Sequence, residues 1–206
     1  MTVTIDTRQD LTLDNCFKVA WQGHPVRIGD TAAKCITEAR TRLMKLIDDP
    51  DVVIYGVTTG YGQKAKNQLT PEERKAHAAR PPKPAAASWG DRVPDRVARA
   101  IVFARLANFV EGHAAVSPHI AQAVAEMLAG GAMPIVPARV QGGAGEILSL
   151  SHLFLDLASS HKLGEKDSLS LVNGSPSAAG LVADCALAAR RRLELSVKIV
   201  ALAIEG

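Results

Sequence analysis

Apolar side chains recur at helical spacing along most of this chain. Between Asp30 and Pro50 they follow a three- or four-residue period, which is typical of a helix with one buried face. Asp30 is a residue type that caps helix N-termini and Pro50 is one that ends helices, so a helix is predicted between them. The apolar positions of this run are Ala33, Ile36, Leu43, Leu46 and Ile47.

Four further segments show the same period, so the predicted fold class is all-α, mainly helical with short extended segments. Helices are expected from Pro94 to Gly112, from Ser117 to Gly130, from about Glu146 onward, and from Ser175 to Gly206. The helix after Glu146 is apolar on all sides, which predicts a central, buried position. The last helix should be about 38 Å long at the usual rise per residue, long for so small a chain.

The segments between these helices predict shorter elements. The run Val52–Tyr55 is β-branched and aromatic, which favours one brief strand or extended piece, and it leads into a glycine-rich polar loop that ends at Gly62. Thr70 followed by Pro71 and two acids predicts a short helix. Residues 80–92 are rich in proline and alanine, so we expect a connector and the most mobile part of the chain.

Composition and charge exclude several classes of protein. The chain has 206 residues, of which 47% are hydrophobic, enough to build a core and too many for global disorder. Its net charge of +3 is spread thinly and only 4% of its residues are aromatic, so no nucleic-acid partner is expected. No stretch is long and apolar enough to span a membrane, and the acidic N-terminus does not resemble a secretory signal. We therefore expect a cytoplasmic protein without a membrane partner.

Cysteine and histidine usage argues against a metal site. Cys16, Cys35 and Cys185 are widely spaced and include no Cys-x-x-Cys pair, so they are predicted to be reduced packing residues. The six histidines include no His-x-x-x-His pair with an acid beside it. The glycine turn 142–145 is a different kind of candidate, because free backbone amides before a helix can bind an anion. A tight turn without a ligand accounts for the same residues.

The order of these motifs identifies a family. A loop from Tyr55 to Gly62, a helix centred on Arg105, a glycine turn running into Leu150-Ser-His-Leu153, and an Asn-Gly turn at Asn173 follow one another along the chain. In this order and at these distances they resemble the aromatic amino acid ammonia-lyases, the histidine and phenylalanine ammonia-lyases, over nearly the whole chain. The resemblance implies a mainly helical protein whose long central helices assemble as a tetramer. It also implies one lyase-like region over 1–206, with a loop-rich head (1–92) and a helical core (93–206).

This chain departs from the family where the electrophile is made. Family members cyclise an Ala-Ser-Gly tripeptide, with loss of two water molecules, into a methylidene-imidazolone group. The matching residues here are Gly143, Ala144 and Gly145, and Ala144 stands where the serine must be. A methyl side chain has no β-oxygen to eliminate, so we expect neither this electrophile nor another cofactor.

Other family positions are partly kept. The resemblance implies that Tyr55 matches the loop tyrosine that acts as catalytic base, and that Asn173 matches the asparagine beside the electrophile. It implies substrate-binding roles for Gly62, Gly142, Gly143, Ala144 and Gly145. Ala85 falls where the family has a substrate-contacting histidine, and the later arginine, tyrosine and glutamine or glutamate of the family site have no match in this chain. A tyrosine held by packing and an asparagine that forms a turn also account for Tyr55 and Asn173.

Two functions from different classes are left open. The favoured one is a non-catalytic or partner subunit, in a homo-oligomer or with a second chain that supplies the missing C-terminal half. The other is an enzyme that acts on a small aromatic or carboxylate-bearing substrate by elimination or addition, without the prosthetic group. In that case Tyr55 is the acid or base and the amides of residues 142–145 hold an anion.

The mass of the intact protein tests the argument built on Ala144. We expect the mass of the unmodified chain, allowing for removal of Met1, because no serine hydroxyl is available to leave as water. Electrospray mass spectrometry of the purified protein measures this directly. A deficit of two water molecules would show that the cyclisation occurs without the serine.

Overall fold

The chain folds as a mainly helical protein, as predicted. The computed structural model describes residues 1–139 and 146–206. Within these ranges the α-helices are α1 (Leu13–Cys16), α2 (Asp30–Ile47), α3 (Pro71–Ala78), α4 (Asp95–Val110), α5 (Pro118–Glu126), α6 (Ile147–Ser160), α7 (Asp167–Val172) and α8 (Pro176–Glu205). Among these described residues no helix is long and apolar enough to cross a membrane.

Two small two-stranded sheets accompany the helices. Strands β1 (Val3–Ile5) and β2 (Val26–Ile28) pair in parallel, whereas β3 (Trp89–Arg92) and β4 (Pro137–Arg139) pair antiparallel. The predicted connector, residues 80–92, is shorter than expected, because residues 89–92 form strand β3 and pair with β4. Of the two forms predicted for Val52–Tyr55, a strand or an extended piece, the strand does not form: Val52, Val53 and Ile54 are irregular and Tyr55 begins a turn.

Helix α4 is the centre of the core, and α8 packs directly on it. Val97, Ile101, Leu106 and Phe109 of α4 are almost completely buried. The two helices are so close that a Cβ atom added at Gly180 of α8 would lie 2.6 Å from the backbone nitrogen of Ile101. A contact of this kind needs glycine, because any side chain would push the helices apart. The one glycine inside the predicted last helix therefore has a packing role.

The start of α2 is capped by a distant residue. Asp30, the predicted cap, is the first residue of the helix, and Gly29 occupies the cap position without a side chain to offer. Instead, the carboxylate of Asp6 accepts hydrogen bonds from the backbone N–H groups of Thr31, at 2.8 Å, and Ala32, at 3.2 Å. The cap position was predicted one residue late, and the segment that follows β1 supplies the capping oxygen.

The other predicted helices form, with differences in extent and in burial. Helix α5 ends at Glu126, before the predicted stop at Gly130. Helix α8 runs for 30 residues, about 45 Å at 1.5 Å per residue, and is longer than expected. Helix α6 buries most of its apolar side chains, but Ile147 at its start is exposed, so the helix is not enclosed on every side. The three cysteines are free thiols; Cys16 is buried, whereas Cys185 is exposed on α8 and does not pack in the core of this chain.

Candidate functional site

Tyr55 and Asn173 line the same cavity. It has a volume of about 270 Å³ and is formed by three separated parts of the chain. These parts are the loop after α2, the helix α3 with the proline-rich connector behind it, and the region from the start of α6 to the end of α7. The lining residues are Tyr55, Gly56, Val57, Tyr61, Arg74, His77, Ala78, Arg80, Pro81, Pro82, Pro84, Ala85, Ile147, Glu165, Lys166, Ser168, Leu169, Val172 and Asn173.

The Tyr55 loop is held by hydrogen bonds within itself. The hydroxyl of Thr58 accepts the N–H of Ile54 at 2.8 Å, and the buried hydroxyl of Thr59 donates to the carbonyl of Gly60 at 2.9 Å. The N–H of Gly62 donates to the phenol oxygen of Tyr55 at 3.0 Å. Gly62 has a positive φ of 60° and does not line the cavity. Its place in the structure therefore fits orientation of Tyr55 better than direct contact with a ligand.

Gly56 shows why this loop needs its first glycine. Its φ is +69°, and a Cβ atom added there would lie 2.5 Å from the Leu169 side chain. Leu169 belongs to α7 and also lines the cavity. A glycine at this point therefore lets the loop and α7 approach closely enough to share one cavity.

Asn173 is positioned by a buried arginine. It follows the last residue of α7, and its backbone carbonyl accepts a hydrogen bond from the guanidinium of Arg105 on α4. Arg105 is only 2% exposed, and this burial lowers its pKa to about 10, opposed by the negative charge of Glu146. Gly174 turns the chain with φ +96°, and a Cβ atom there would lie 3.3 Å from Arg105 Nη2. The Asn-Gly turn therefore both reverses the chain and leaves room for the guanidinium.

Glu146 joins the start of α6 to the start of α8. Its carboxylate accepts the backbone N–H of Ser177 at 2.6 Å and that of Ala178 at 2.8 Å, which caps α8. The hydroxyls of Ser149 and Ser177 lie 3.0 Å apart beside it. The candidate residues Gly142, Gly143, Ala144 and Gly145 lie outside the described residues, so the predicted anion-binding turn is not placed by the structure.

A second buried carboxylate fixes the corner before α7. The carboxylate of Asp167 is inaccessible to solvent; it accepts the N–H and the hydroxyl of Ser117 at 2.8 and 2.7 Å and the N–H of Gly164 at 2.8 Å. The guanidinium of Arg40 lies 3.6 Å from the same carboxylate and neutralises its charge. The three hydrogen bonds and one ion pair hold α2, α5 and α7 together beneath the cavity.

Lys166 lies directly before α7 and lines the cavity. Its backbone is left-handed, with φ +70°, and its ammonium group donates to the carbonyl of Ala114 and, at 3.3 Å, to the hydroxyl of Ser170. Burial lowers the pKa of Lys166, and the nearby positive charges of Arg105 and Arg40 lower it further. The side chain therefore adds positive potential to the cavity from a constrained position.

The connector covers one side of the cavity and is fastened at its end. Pro81, Pro82 and Ala85 line the cavity, and Ala85 presents a methyl group where the family resemblance implies a histidine. Beyond them, the N–H of Ser88 donates to Nε2 of His152 on α6 at 3.1 Å. His152 therefore acts as a hydrogen-bond acceptor that fastens the connector to the helical core.

The wall of the cavity carries more positive than negative charge. Arg74, Arg80 and Lys166 line it, and the ion pairs found among the described residues include none of these three side chains. The one carboxylate in the wall, that of Glu165, lies 3.8 Å from the guanidinium of Arg40. Net positive charge next to apolar walls suits a small ligand with a carboxylate.

Sequence reasoning missed most of the titratable and charged side chains of the cavity, among them His77, Arg80 and Lys166. His77, Arg80 and Lys166 have no motif around them that marks a site. A weak signal was available for His77, because the capping box of Thr70 and Glu73 fixes α3 and thus the direction of each of its side chains. No group of three or more potential metal ligands occurs in the described ranges 1–139 and 146–206.

Comparison with known proteins identifies the family. Residues 11–163 match the family model described as aromatic amino acid lyase, so the chain belongs to the aromatic amino acid lyase family. Histidine ammonia-lyase from Streptomyces griseus is 31% identical over 225 aligned positions, which cover 97% of this chain and 43% of that protein. The enzyme of the same name from Streptococcus pyogenes serotype M49 is 29% identical over 72% of this chain and 29% of its own length. The chain thus spans less than half the length of these curated relatives.

Solved structures show the same fold. Tyrosine aminomutase from Streptomyces globisporus superposes with a TM-score of 0.74 and 26% identity, over 89% of this chain and 38% of that one. Histidine ammonia-lyase from Trypanosoma cruzi gives a TM-score of 0.76 at 23% identity, over 92% and 42% of the two chains. Ergothionase from Treponema denticola gives 0.80 at 23% identity, over 89% and 41%. The mainly helical fold predicted from the resemblance is therefore confirmed.

Removal of Asp167 should destabilise the protein strongly. The substitution Asp167→Ala removes the fully buried one of the two carboxylates that pair with Arg40 and leaves the buried Ser117 N–H without an acceptor. We expect the free energy of unfolding to fall by about 3–5 kcal/mol. Urea denaturation followed by circular dichroism measures this change. The exposed acid Asp156 on α6 is the control, and Asp156→Ala should change stability by less than about 0.5 kcal/mol. Equal effects of the two substitutions would contradict the role given to Asp167.

Proposed function

We propose that this chain is a lyase-family subunit that binds a small carboxylate-bearing ligand, aromatic or heteroaromatic, in the cavity between Tyr55 and Asn173, without a methylidene-imidazolone group. The observation that carries the proposal is that these two side chains, 118 positions apart in the sequence, line one cavity whose wall is positively charged. The apolar part of the wall, which includes Val57, Leu169 and Val172, suits the ring of such a ligand.

The residues present do not fit the family's electrophile. Its formation requires elimination of a serine hydroxyl, and Ala144 carries hydrogen at that position. Dehydration of the backbone ring alone would leave a methyl group and no alkene. We therefore derive no chemical step through that group, and any reaction in this cavity depends on the side chains of the protein.

Tyr55 is the candidate acid or base for such a reaction. Its phenol oxygen accepts the Gly62 N–H, which fixes the hydroxyl, and its side chain lines the cavity. A positioned phenol can give a proton to, or take one from, a carbon or nitrogen atom of the ligand during an addition or elimination. Asn173 offers an amide that can both donate and accept a hydrogen bond. The positive side chains of Arg80 and Lys166 would hold the ligand carboxylate while this occurs.

Ligand titration tests the proposed site. We expect imidazole-4-acetate or phenylacetate to bind to the purified protein in isothermal titration calorimetry. The substitutions Tyr55→Phe and Asn173→Ala should each weaken binding by about ten- to a hundredfold, because each removes a hydrogen bond to a charged ligand in a partly buried site.

The matched control is Asn67→Ala. Asn67 is exposed in the loop that contains Tyr61 and does not line the cavity, so its removal should leave the affinity unchanged. Circular dichroism should give the same helix content for all four proteins. Absence of binding by the parent protein, or equal affinity in the parent and both cavity variants, would rule out this site.

A second candidate function, that of a subunit in an oligomer, is favoured by the exposed end of α8. From Arg190 to Glu205 every residue of this helix is exposed in the single chain. The apolar residues among them form two stripes at helical spacing, one of Leu193, Val197, Val200 and Ile204 and one of Leu195, Ile199 and Leu202. Apolar surface on two sides of one helix is typical of a helix that packs between partners. The partner is a second copy of this chain or a chain with the rest of the lyase fold.

Light scattering tests the assembly. We expect a particle larger than the 21.8 kDa chain at micromolar concentration, because burial of the two stripes removes apolar surface from water. Val197→Glu places a charge in one stripe and should shift the equilibrium toward the monomer. Ser196→Glu adds the same charge between the stripes and should leave the mass unchanged. A stable monomer of the parent, alone and in the presence of a co-expressed lyase chain, would exclude this function.

A further inference from the structure

His77 is the titratable side chain in the cavity with an ordinary pKa near neutrality, among the lining residues that the structure describes. It lies on α3 and is half-buried, and its ring centroid is 5.0 Å from that of Tyr61. The backbone of Gly56, the residue after Tyr55, lies near enough to the imidazole to favour its protonated form. The imidazole is therefore held between two residues of the Tyr55 loop and faces the same space as Tyr55.

We propose that His77 contacts the ligand and that its protonated form strengthens the binding of a carboxylate in this cavity. The inference rests on the proposed function, and it assigns to that site a specificity-determining residue and a dependence on pH. The ligand class is a small aromatic carboxylate, because the cavity offers Tyr61 and the His77 ring for stacking and cationic groups for the charge.

The groups that face His77 determine when it can take up a proton. Tyr61 packs against the imidazole from the loop, and Tyr55 lines the same cavity from that loop. The charged groups that share the cavity with His77 are Arg74 on the same helix, Arg80 after it, and Glu165 and Lys166 at the corner before α7. Glu165 is paired with Arg40, so the remaining charge around the imidazole is positive. Burial lowers the pKa of His77 and the charge of Arg80 lowers it further, so the imidazole is neutral at pH 7 in the empty cavity.

A bound carboxylate reverses this balance. Its negative charge offsets the repulsion from Arg80, which raises the pKa of His77 in the complex above that in the free protein. By linkage, affinity for the carboxylate must then increase as the pH falls through the pKa of His77. A rise of about one unit in the pKa of His77 on binding corresponds to about a tenfold change in affinity. Phenylacetate should therefore bind about tenfold more tightly at pH 5.5 than at pH 8.

The experiment combines calorimetry with NMR of the histidine rings. Phenylacetate and its neutral analogue phenylacetamide are titrated at pH 5.5, 6.5 and 8 into the parent protein, His77→Gln and His113→Gln. Glutamine keeps a hydrogen-bonding side chain of similar size and does not titrate. His113 is exposed and does not line the cavity, so its variant is the matched control. Imidazole nitrogen resonances, assigned with His77→Gln, report the pKa of His77 with and without phenylacetate.

The inference predicts a rise in the pKa of His77 with phenylacetate, and a pH dependence of affinity that His77→Gln removes and His113→Gln keeps. Phenylacetamide should bind with the same affinity at all three pH values. Binding of phenylacetate with an unchanged His77 titration, or a pH dependence retained in His77→Gln, would overturn the inference and leave the proposed site intact. If neither probe binds to the parent protein at any pH, the proposed function fails and this inference fails with it.

Discussion

The cavity depends on the burial of Arg105 against the backbone carbonyl of Asn173. Burial of a guanidinium in the core costs free energy unless its N–H donors have protein acceptors, because water cannot reach the core to accept their hydrogen bonds. The carbonyl at the end of α7 satisfies part of this requirement, and the charge of Glu146 offsets part of the burial cost. The hydrogen bond therefore determines where α7 ends relative to α4, and thus where Asn173 lies.

Two carboxylates extend this framework around the cavity. Glu146 caps α8 and Asp167 caps the corner before α7, so both use backbone N–H groups that would otherwise lack acceptors. Their partners come from helices far apart in the sequence, and each carboxylate therefore joins elements that hydrophobic packing alone would leave free to slide. These contacts make the cavity wall rigid, and a rigid wall suits a site that orients a small ligand.

The proposed function separates the family's fold from the family's chemistry. The Tyr55 loop, the Arg105 helix and the Asn173 turn adopt the lyase fold, whereas the tripeptide that makes the electrophile lacks its serine hydroxyl. A fold supports many functions because its function resides in a few side chains at one site. In the function proposed for this chain, those side chains include His77, Arg80 and Lys166, which line the cavity and make its wall positively charged.

Local sequence patterns predicted the helices because helical periodicity and capping act over a few residues. The bounds of α2 and α4 and the starts of α6 and α8 follow from such patterns, and the resemblance implied that Tyr55 and Asn173 belong to one site. Patterns failed where distant groups intervene. Asp6 rather than Asp30 caps α2, and residues 89–92 pair with a strand supplied from residues 137–139.

The sequence by itself determined the helical class and the family, because helical periodicity and the order of motifs along the chain can be read without the fold. It also shows alanine at position 144, from which we expect no serine hydroxyl for the electrophile. The tertiary structure alone decided which side chains face the cavity. His77, Arg80 and Lys166 belong to segments without a motif, and they meet because Gly56 lets the loop approach α7 and because Arg105 and Asp167 hold α7 in place. Hydrogen bonds between distant parts of the chain bring these groups together, and no local sequence pattern predicts these hydrogen bonds.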